Sequence, residues 1–282
     1  MRWHLSALFI IIIFLTTSRA LNTALITGGA GFLGRHFTHR FCQAGWQVTV
    51  VDNLRANDAL PPEKWPLGLQ CSQETLVFKH EEYIDYFKRM DASLQGAGGA
   101  DIRQDWTVFL HLATFGNDSG DSDDSRIAQE VDNAAFNWVV ADSSSRIITK
   151  MIIFHSIYVS PVLFPTHLGV ADVLSRQTNR FLPPALHESH GLNVVQYEVG
   201  WLYGEDQSMS PVLHSIIKQA FAKKDPILIA QEVNITMHYV GNVINCVAQS
   251  MNAVSDGTVV RLVSSETSSM TSLAREVTQL LQ

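Results

Sequence analysis

Three glycines near the beginning of the chain have the spacing of a loop that brings a protein backbone close to phosphate groups. Gly28, Gly31 and Gly34 recur at every third residue within the stretch ALITGGAGFLGRHF. A glycine at the first position permits a sharp turn from a strand into a helix, and at the second it lets a pyrophosphate approach the backbone. At the third it allows close packing of helix and strand. The N–H groups at the start of that helix would bind the phosphates.

An acidic residue completes this pattern about 20 residues further along the chain. The segment 47–51 is predicted to form a second strand, and Asp52 follows it directly. A carboxylate at this place can accept hydrogen bonds from both hydroxyls of an adenosine ribose. Arg55 leaves some room for a 2′-phosphate, but Asp52 would repel one, so the predicted cofactor is NAD. The alternative is a glycine turn in some other α/β protein.

Hydrophobic runs alternate along the chain with amphipathic segments, and these elements must position the glycine loop and Asp52. Amphipathic segments at 128–142 and 172–182 predict helices. The hydrophobic runs predict strands at 24–26, 47–51, 74–80, 105–114, 150–156, 193–204 and 257–265. Such alternation is typical of a parallel sheet covered by helices on both faces, with ligands at the carboxyl ends of the strands. The predicted fold is therefore a doubly wound, Rossmann-type α/β fold.

The composition is that of a globular protein, and it disfavours several classes of function. The chain has 282 residues, 46% of them hydrophobic and 17% charged, which suffices for one large domain or a domain with a smaller lobe. The net charge of −7 and the absence of a basic run argue against a nucleic-acid partner. Cys42, Cys71 and Cys246 are widely spaced and form no metal or redox motif, which favours small core or surface residues. No metal site is predicted.

The first 20 residues, 1–20, are typical of a secretory signal peptide. An uncharged apolar run at 5–15 precedes Ser18 and Ala20, two small residues at positions suited to cleavage. The run is short for a membrane span, and a retained anchor would leave almost no stem before the first strand. The sequence therefore predicts a protein of the secretory pathway, in the lumen of the ER or Golgi. The alternatives are a membrane-anchored protein, and a cytoplasmic protein with a wrongly assigned start or a buried first segment.

The motifs of the chain, taken in order from Thr23 almost to Gln282, resemble those of extended short-chain dehydrogenases/reductases. The chain is most similar to the NAD-dependent nucleotide-sugar epimerases, dehydratases and decarboxylases, through the motifs TGGAGFLG, VDNL, HLA, SIYV, YG, HYVGNV and SSETSSMTSLAREV. The resemblance implies that NAD is held tightly by the glycines and Asp52. It adds five further residues of the first three motifs to the cofactor-binding set: Phe32, Leu33, Asn53, His111 and Ala113.

The same resemblance implies how the chain is divided. It implies an NAD-binding domain at 21–204 and a small, truncated C-terminal lobe at 205–282 that takes a UDP- or dTDP-sugar. The lobe would contain a returning seventh strand at 257–265 and a terminal helix. The resemblance also implies a possible homodimer, which is the usual assembly in this group.

The catalytic motif of this group is only partly matched. The resemblance implies a Ser/Thr–Tyr–Lys arrangement, in which the Tyr is the acid/base and the Lys lowers its pKa. Ser156 matches the first position, although a serine that caps a loop at a strand end would look the same. The Tyr and Lys positions fall on Asp172 and Arg176. Tyr158 and His155 are alternative acid/base candidates. Alternation along a strand points His155 to the face opposite Ser156, and Tyr158, two residues further on, to the same face.

Substrate-binding positions also depart from the group. By the resemblance, Trp201 replaces an Asn near the diphosphate, Ile235 replaces an Arg that pairs with the phosphates, and Asn242 replaces an Asp. Loss of a charge-assisted contact would weaken diphosphate binding. The sequence therefore favours an NAD-binding protein with weak or absent catalysis, whose partner is a nucleotide-sugar or another protein. The alternatives are an active epimerase or decarboxylase with a non-standard acid/base, and a truncated or mispredicted gene product.

Overall fold

The structure is a computed structural model, and it describes residues 22–56, 58–94, 106–113, 148–156, 184–185, 187–189, 191–207, 211–222, 234–263 and 267–280. The predicted leader at 1–20 and the predicted helices at 128–142 and 172–182 lie outside these residues.

The described strands are β1 (Thr23–Thr27), β2 (Gln47–Asp52), β3 (Leu76–His80), β4 (Trp106–His111), β5 (Ile148–Ser156), β6 (Val194–Val199), β7 (Trp201–Tyr203), β8 (Asn234–Tyr239), β9 (Val259–Arg261) and β10 (Thr267–Ser269). The larger sheet has the order β3-β2-β1-β4-β5-β6-β9, and each neighbouring pair in it is parallel. A smaller sheet has the order β10-β8-β7.

The described helices of two turns or more are α1 (Phe32–Gln43), α2 (Tyr83–Leu94), α3 (Pro211–Phe221), α4 (Val240–Ser250) and α5 (Met270–Leu280). Short 3-10 turns lie at Pro62–Lys64 and Leu67–Leu69. Within the ranges that the structure describes, no helix is both long enough and apolar enough to cross a membrane.

The larger sheet buries apolar side chains on both of its faces, because successive residues of a strand point in opposite directions. Ile26 of β1 packs in one cluster with Phe37 of α1 and Val243 of α4. Leu25, the residue before Ile26, packs in a second cluster with Phe87 of α2. Helices therefore cover both faces of a parallel sheet, which confirms the predicted Rossmann-type α/β fold. The first turn of α1 and the ends of β1, β2 and β4 meet at the carboxyl edge.

The C-terminal part of the sheet differs from the prediction at one glycine. The single strand predicted at 193–204 is divided at Gly200 into β6, in the larger sheet, and β7, in the smaller one. A Cβ at Gly200 would collide with the carbonyl oxygen of Thr236 in β8, so only a glycine lets the chain approach β8 this closely. Strand β8 itself was not predicted. The seventh predicted strand, at 257–265, is the shorter β9.

Two of the three cysteines form a disulfide, so their interpretation as separate small residues is wrong. Cys42 at the end of α1 and Cys71 before β3 are bonded, with their Cα atoms 5.8 Å apart and a sequence separation of 29. The parallel pairing of β2 with β3 brings the two segments together. No local motif links the two cysteines, so their spacing alone could not reveal the bond. Cys246 is an exposed free thiol.

Candidate functional site

The glycine-rich loop joins β1 to α1 and has an open side. Gly28 has a φ of +70°, and a Cβ there would lie 2.6 Å from the backbone nitrogen of Ala113. A Cβ on Gly34 would collide with the carbonyl oxygen of Gly28. Among the residues that the structure describes, a Cβ on Gly31 would meet only that same oxygen, at 3.4 Å, which is an ordinary contact. Packing therefore requires glycine at the first and third positions, whereas Gly31 borders open space of the kind that a phosphate needs.

Helix α1 begins at this loop without a side-chain cap of its own. Gly31 is the N-cap residue, and it accepts a hydrogen bond from the N–H of Arg35 at 3.0 Å. The N–H of Phe32 donates instead to Oδ2 of Asp58, 3.1 Å away. Sequence analysis missed Asp58, because it lies 26 residues from Phe32 in a loop with no recognisable motif. An aspartate facing a helix start is an ordinary capping arrangement, but here it comes from a distant loop.

Asp52 lies at the end of β2 and is only 8% exposed. Its Oδ2 accepts the N–H of Ala30 at 3.0 Å, and its Oδ1 accepts the N–H of Leu54 at 2.8 Å. Burial raises the pKa of Asp52, and the nearby carboxylate of Asp58 adds to this rise against the two amide hydrogen bonds. Each carboxylate oxygen has a second lone pair, so Asp52 can still accept hydrogen bonds from two ribose hydroxyls.

The residues that follow Asp52 are engaged with one glutamate. Asn53 donates through Nδ2 to Oε2 of Glu82 at 3.0 Å, and Arg55 pairs with Oε1 of the same side chain at 2.9 Å. Leu54 between them has a φ of +58°, a left-handed conformation that is uncommon for leucine. From the sequence, Arg55 could have bound a 2′-phosphate. In the structure its positive charge is already paired with Glu82.

His111 ends β4 on the same edge of the sheet. It is 8% exposed, and its Nδ1 lies 2.7 Å from Oγ1 of Thr27, at the end of β1. Burial lowers the pKa of His111 to about 3, and His155 of β5 contributes in the same direction. The imidazole is therefore neutral at physiological pH. Two residues later, the backbone of Ala113 borders Gly28.

The predicted catalytic residues are only partly within the described chain. Ser156 is the last residue of β5, where its backbone pairs with Val199 of β6. The side chain of Ser156 lies outside the part of the chain that the structure describes. Asp172, Arg176 and Tyr158 lie outside the described residues, so their positions relative to Ser156 stay predictions.

The C-terminal part of the chain encloses a cavity of about 800 Å³. Strands β7 to β10 and helices α3 to α5 supply its lining. Ile235, which is 1% exposed, and Met237 of β8 give it an apolar wall, and Asn242 of α4 lines another side. Arg261 also faces the cavity, but its Nε and Nη2 atoms each lie 2.8 Å from Oε2 of Glu198, a residue of β6 that is 3% exposed. The arginine of this wall is therefore already paired with a carboxylate.

The first half of the chain matches the model of a known family. The model, described as the NAD dependent epimerase/dehydratase family, matches residues 24–156, which run from β1 to the end of β5. The glycine loop, Asp52, His111 and Ser156 all lie within the segment that matches this model. A search of curated proteins finds no match to the chain.

Solved structures of several enzymes share the fold of nearly the whole chain. The enzyme WbmF of Bordetella bronchiseptica, in complex with NAD+ and UDP, is 20% identical, with a TM-score of 0.69 over 93% of this chain and 78% of its own. The dTDP-glucose 4,6-dehydratase of Bacillus anthracis, in complex with NAD, is 15% identical, with a TM-score of 0.71 over 92% and 81%. A mutant UDP-glucuronic acid 4-epimerase of Bacillus cereus is 19% identical, with a TM-score of 0.64 over 92% and 82%. The fold shared with these structures thus extends past residue 156.

Proposed function

We propose that this protein binds NAD at the carboxyl edge of the larger sheet and has weak or no nucleotide-sugar converting activity. One observation carries the cofactor part of the proposal: among the described residues Gly31 borders open space at the start of α1, and the residue before it, Ala30, is hydrogen-bonded to the ribose-binding candidate Asp52. Neither packing nor backbone conformation requires a glycine at that place. A dinucleotide requires it, because its pyrophosphate must approach the backbone.

The described residues fit NAD along this edge. The pyrophosphate would lie over Gly31 and bind N–H groups in the first turn of α1, where the positive end of the helix dipole favours an anion. Asp52 would hold the adenosine ribose. When bound, NAD supplies a hydride acceptor, and everything else must come from the protein. The structural neighbours WbmF and dTDP-glucose 4,6-dehydratase are complexes with this cofactor, which supports the choice.

NAD is favoured over NADP by the charges around the ribose. Asp52 would repel a 2′-phosphate, and the pairing of Arg55 with Glu82 at 2.9 Å leaves that guanidinium already compensated. A 2′-phosphate would therefore meet one anion and an arginine that must first break an ion pair. Such a phosphate is usually accommodated by an available arginine.

The catalytic part of the proposal follows from protonation states. Epimerases and dehydratases need a group that takes a proton from a sugar hydroxyl and returns it. Asp172, at the position of the family tyrosine, is an anion at neutral pH if its pKa is near the ordinary ~3.9, and Arg176 stays charged. His111 is neutral at that pH, and its pKa of about 3 makes it a poor base. We infer that hydride transfer lacks its proton acceptor.

The substrate part of the proposal rests on the C-terminal cavity. WbmF binds UDP in one of its structures, and the B. cereus epimerase binds a UDP-sugar analogue. In this chain the corresponding lobe has Ile235 in place of an arginine, and Arg261 of the same cavity is paired with Glu198. A diphosphate would have to compete with Glu198 for Arg261. We therefore infer weak nucleotide-sugar binding, with a protein as the alternative partner.

We further propose that the protein works in the secretory pathway. Disulfides form and persist in oxidising compartments such as the ER lumen and are rare in the cytosol. The bond between Cys42 and Cys71 therefore supports the localisation that the apolar run at 5–15 predicts.

Mass spectrometry of the nucleotide released from the purified full-length protein tests the cofactor assignment. We expect NAD or NADH in the released fraction, and binding of added NAD by calorimetry if the protein is purified without it. The matched control is the Gly31→Val variant, whose side chain would fill the open space without entering the core. Release of NADP, or no binding of NAD at millimolar concentration, would contradict the proposal.

A further inference from the structure

The N–H group at the start of α1 that a pyrophosphate would use is already engaged by a carboxylate of the protein. Phe32 is the first residue of α1, and its N–H donates to Oδ2 of Asp58 at 3.1 Å. Phe32 directly follows Gly31, beside which the open space lies. An internal anion thus occupies part of the place that the proposed cofactor needs.

A buried arginine holds Asp58 in that position. Arg35 of α1 is 1% exposed, and its Nη1 donates to the carbonyl oxygens of Asp58 and Ala30, both at 2.6 Å. Its Nη2 donates to the carbonyl oxygen of Asp206, 2.9 Å away in the segment after β7. The backbone of the loop that carries Asp58 is therefore linked to α1 and to the glycine-rich loop through hydrogen bonds from Arg35. This places the Asp58 carboxylate within hydrogen-bonding distance of the N–H of Phe32.

A carboxylate and a phosphate cannot share this N–H without a cost in free energy. The carboxylate and the phosphate need the same N–H donor. Two anions that both lie within hydrogen-bonding distance of that nitrogen would repel each other. Asp52 is a second carboxylate nearby, and the charge of Asp58 contributes to the raised pKa of Asp52. Binding of a dinucleotide must therefore turn the Asp58 side chain away from Phe32 while Arg35 keeps its backbone in place.

We propose that Asp58 is a specificity-determining residue that competes with the pyrophosphate of the cofactor for the N–H of Phe32. This inference rests on the proposed NAD site and deepens it. Asp58 lowers the affinity of the site for phosphate-bearing nucleotides and leaves the affinity for an uncharged nucleoside unchanged. The site is consequently more selective for ligands whose remaining contacts, at Asp52 and the ribose, are strong enough to displace an internal anion.

Calorimetric titration of the full-length protein with NAD+ and with adenosine tests this competition. Asp58→Asn removes the charge and keeps the size and an acceptor oxygen, and Asp58→Ala removes the whole group. The matched control is Glu63→Gln, which removes one negative charge at an exposed position in the neighbouring 3-10 turn. We expect both Asp58 variants to bind NAD+ about tenfold more tightly than the wild type, which corresponds to one displaced charge-assisted hydrogen bond. Adenosine affinity and the Glu63→Gln protein should stay within about twofold of wild type.

The outcomes separate this inference from the proposal beneath it. Equal or weaker NAD+ binding by both Asp58 variants, with adenosine still bound, would overturn the competition and leave the NAD site standing. Failure of wild type and Asp58→Ala alike to bind NAD+ would contradict both. If Glu63→Gln also bound NAD+ more tightly, the gain in affinity would come from the lower net negative charge of the protein. That result would likewise overturn the proposed competition by Asp58. If Asp58→Ala unfolds at lower temperature, the isosteric Asp58→Asn protein still decides the question.

Discussion

Oδ2 of Asp52 lies 3.0 Å from the backbone nitrogen of Ala30, so the end of β2 is hydrogen-bonded to the middle of the glycine-rich loop. The other carboxylate oxygen accepts the N–H of Leu54 at 2.8 Å. The residue proposed to hold the ribose therefore also shapes the loop proposed to hold the phosphates. Cofactor affinity and the stability of the loop should consequently change together when Asp52 is altered.

Asp52→Ala should weaken binding of NAD much more than binding of NADP. Loss of the carboxylate removes the ribose acceptor for NAD, whereas for NADP it also removes a repulsion. The variant should in addition lose about 1–3 kcal/mol of unfolding free energy, because the N–H groups of Ala30 and Leu54 lose their acceptor. Calorimetry with both nucleotides and urea denaturation measure the two effects. Equal losses of affinity for NAD and NADP would contradict the ribose role.

Substitution by alanine should affect protein stability at one glycine of the loop and NAD binding at another. Gly34→Ala should lower the free energy of unfolding by about 1–3 kcal/mol, because its Cβ would meet the carbonyl oxygen of Gly28. Gly31→Ala should change stability by under about 1 kcal/mol and still weaken NAD binding, because its Cβ extends into the open space. Denaturation and nucleotide titration of both variants separate the two roles. A Gly31→Ala protein that binds NAD as the wild type does would place the pyrophosphate elsewhere.

The sequence predicted most strands of the larger sheet because each is a hydrophobic run bounded by polar residues. It placed Asp52 at the end of β2 for the same reason, since Asp52 directly follows such a run. His111 ends β4, whereas the strand predicted at 105–114 continued past it, so only the resemblance singled out His111. The division at Gly200 was not predictable, because the need for glycine there comes from the carbonyl of Thr236, which lies in a different strand. The role of Asp58 was hidden for a similar reason: its partner Phe32 lies 26 residues away in sequence.

His111 should make the protein unstable in acid. Its pKa is about 3 in the folded state and near 6.5 when unfolded, so between these values the unfolded chain binds the extra proton. Stability should therefore be fully present above pH 6.5 and should fall by about 1.4 kcal/mol per pH unit below it. His111→Asn keeps a polar atom near Thr27 but does not titrate. If the pH profiles of unfolding for wild type and His111→Asn ran parallel, the buried neutral histidine would be ruled out.

Expression in secretion-competent cells should give a product that begins near Leu21 and has one free thiol. The short apolar run at 5–15 would direct secretion and the small residues Ser18 and Ala20 would permit cleavage. The oxidising compartment would close the Cys42–Cys71 bond and leave Cys246 reduced. N-terminal sequencing and thiol titration of the intact protein measure both. Ile12→Arg is the matched control and should stay uncleaved; a wild-type protein with an intact Met1 and three free thiols would contradict the localisation.

The most direct measurement follows bound NAD and substrate turnover in one sample of the purified full-length protein. The protein is incubated with UDP-glucose, UDP-glucuronate or dTDP-glucose; the sugars are separated by chromatography and the bound nucleotide is identified by mass spectrometry. We predict that NAD is bound and that all three sugars are recovered unchanged. Asp172→Tyr combined with Arg176→Lys should not restore turnover, because Trp201 and Ile235 still leave a diphosphate without its partners. Robust conversion of any of the three sugars by the wild type would contradict the central claim and require a proton acceptor other than those considered.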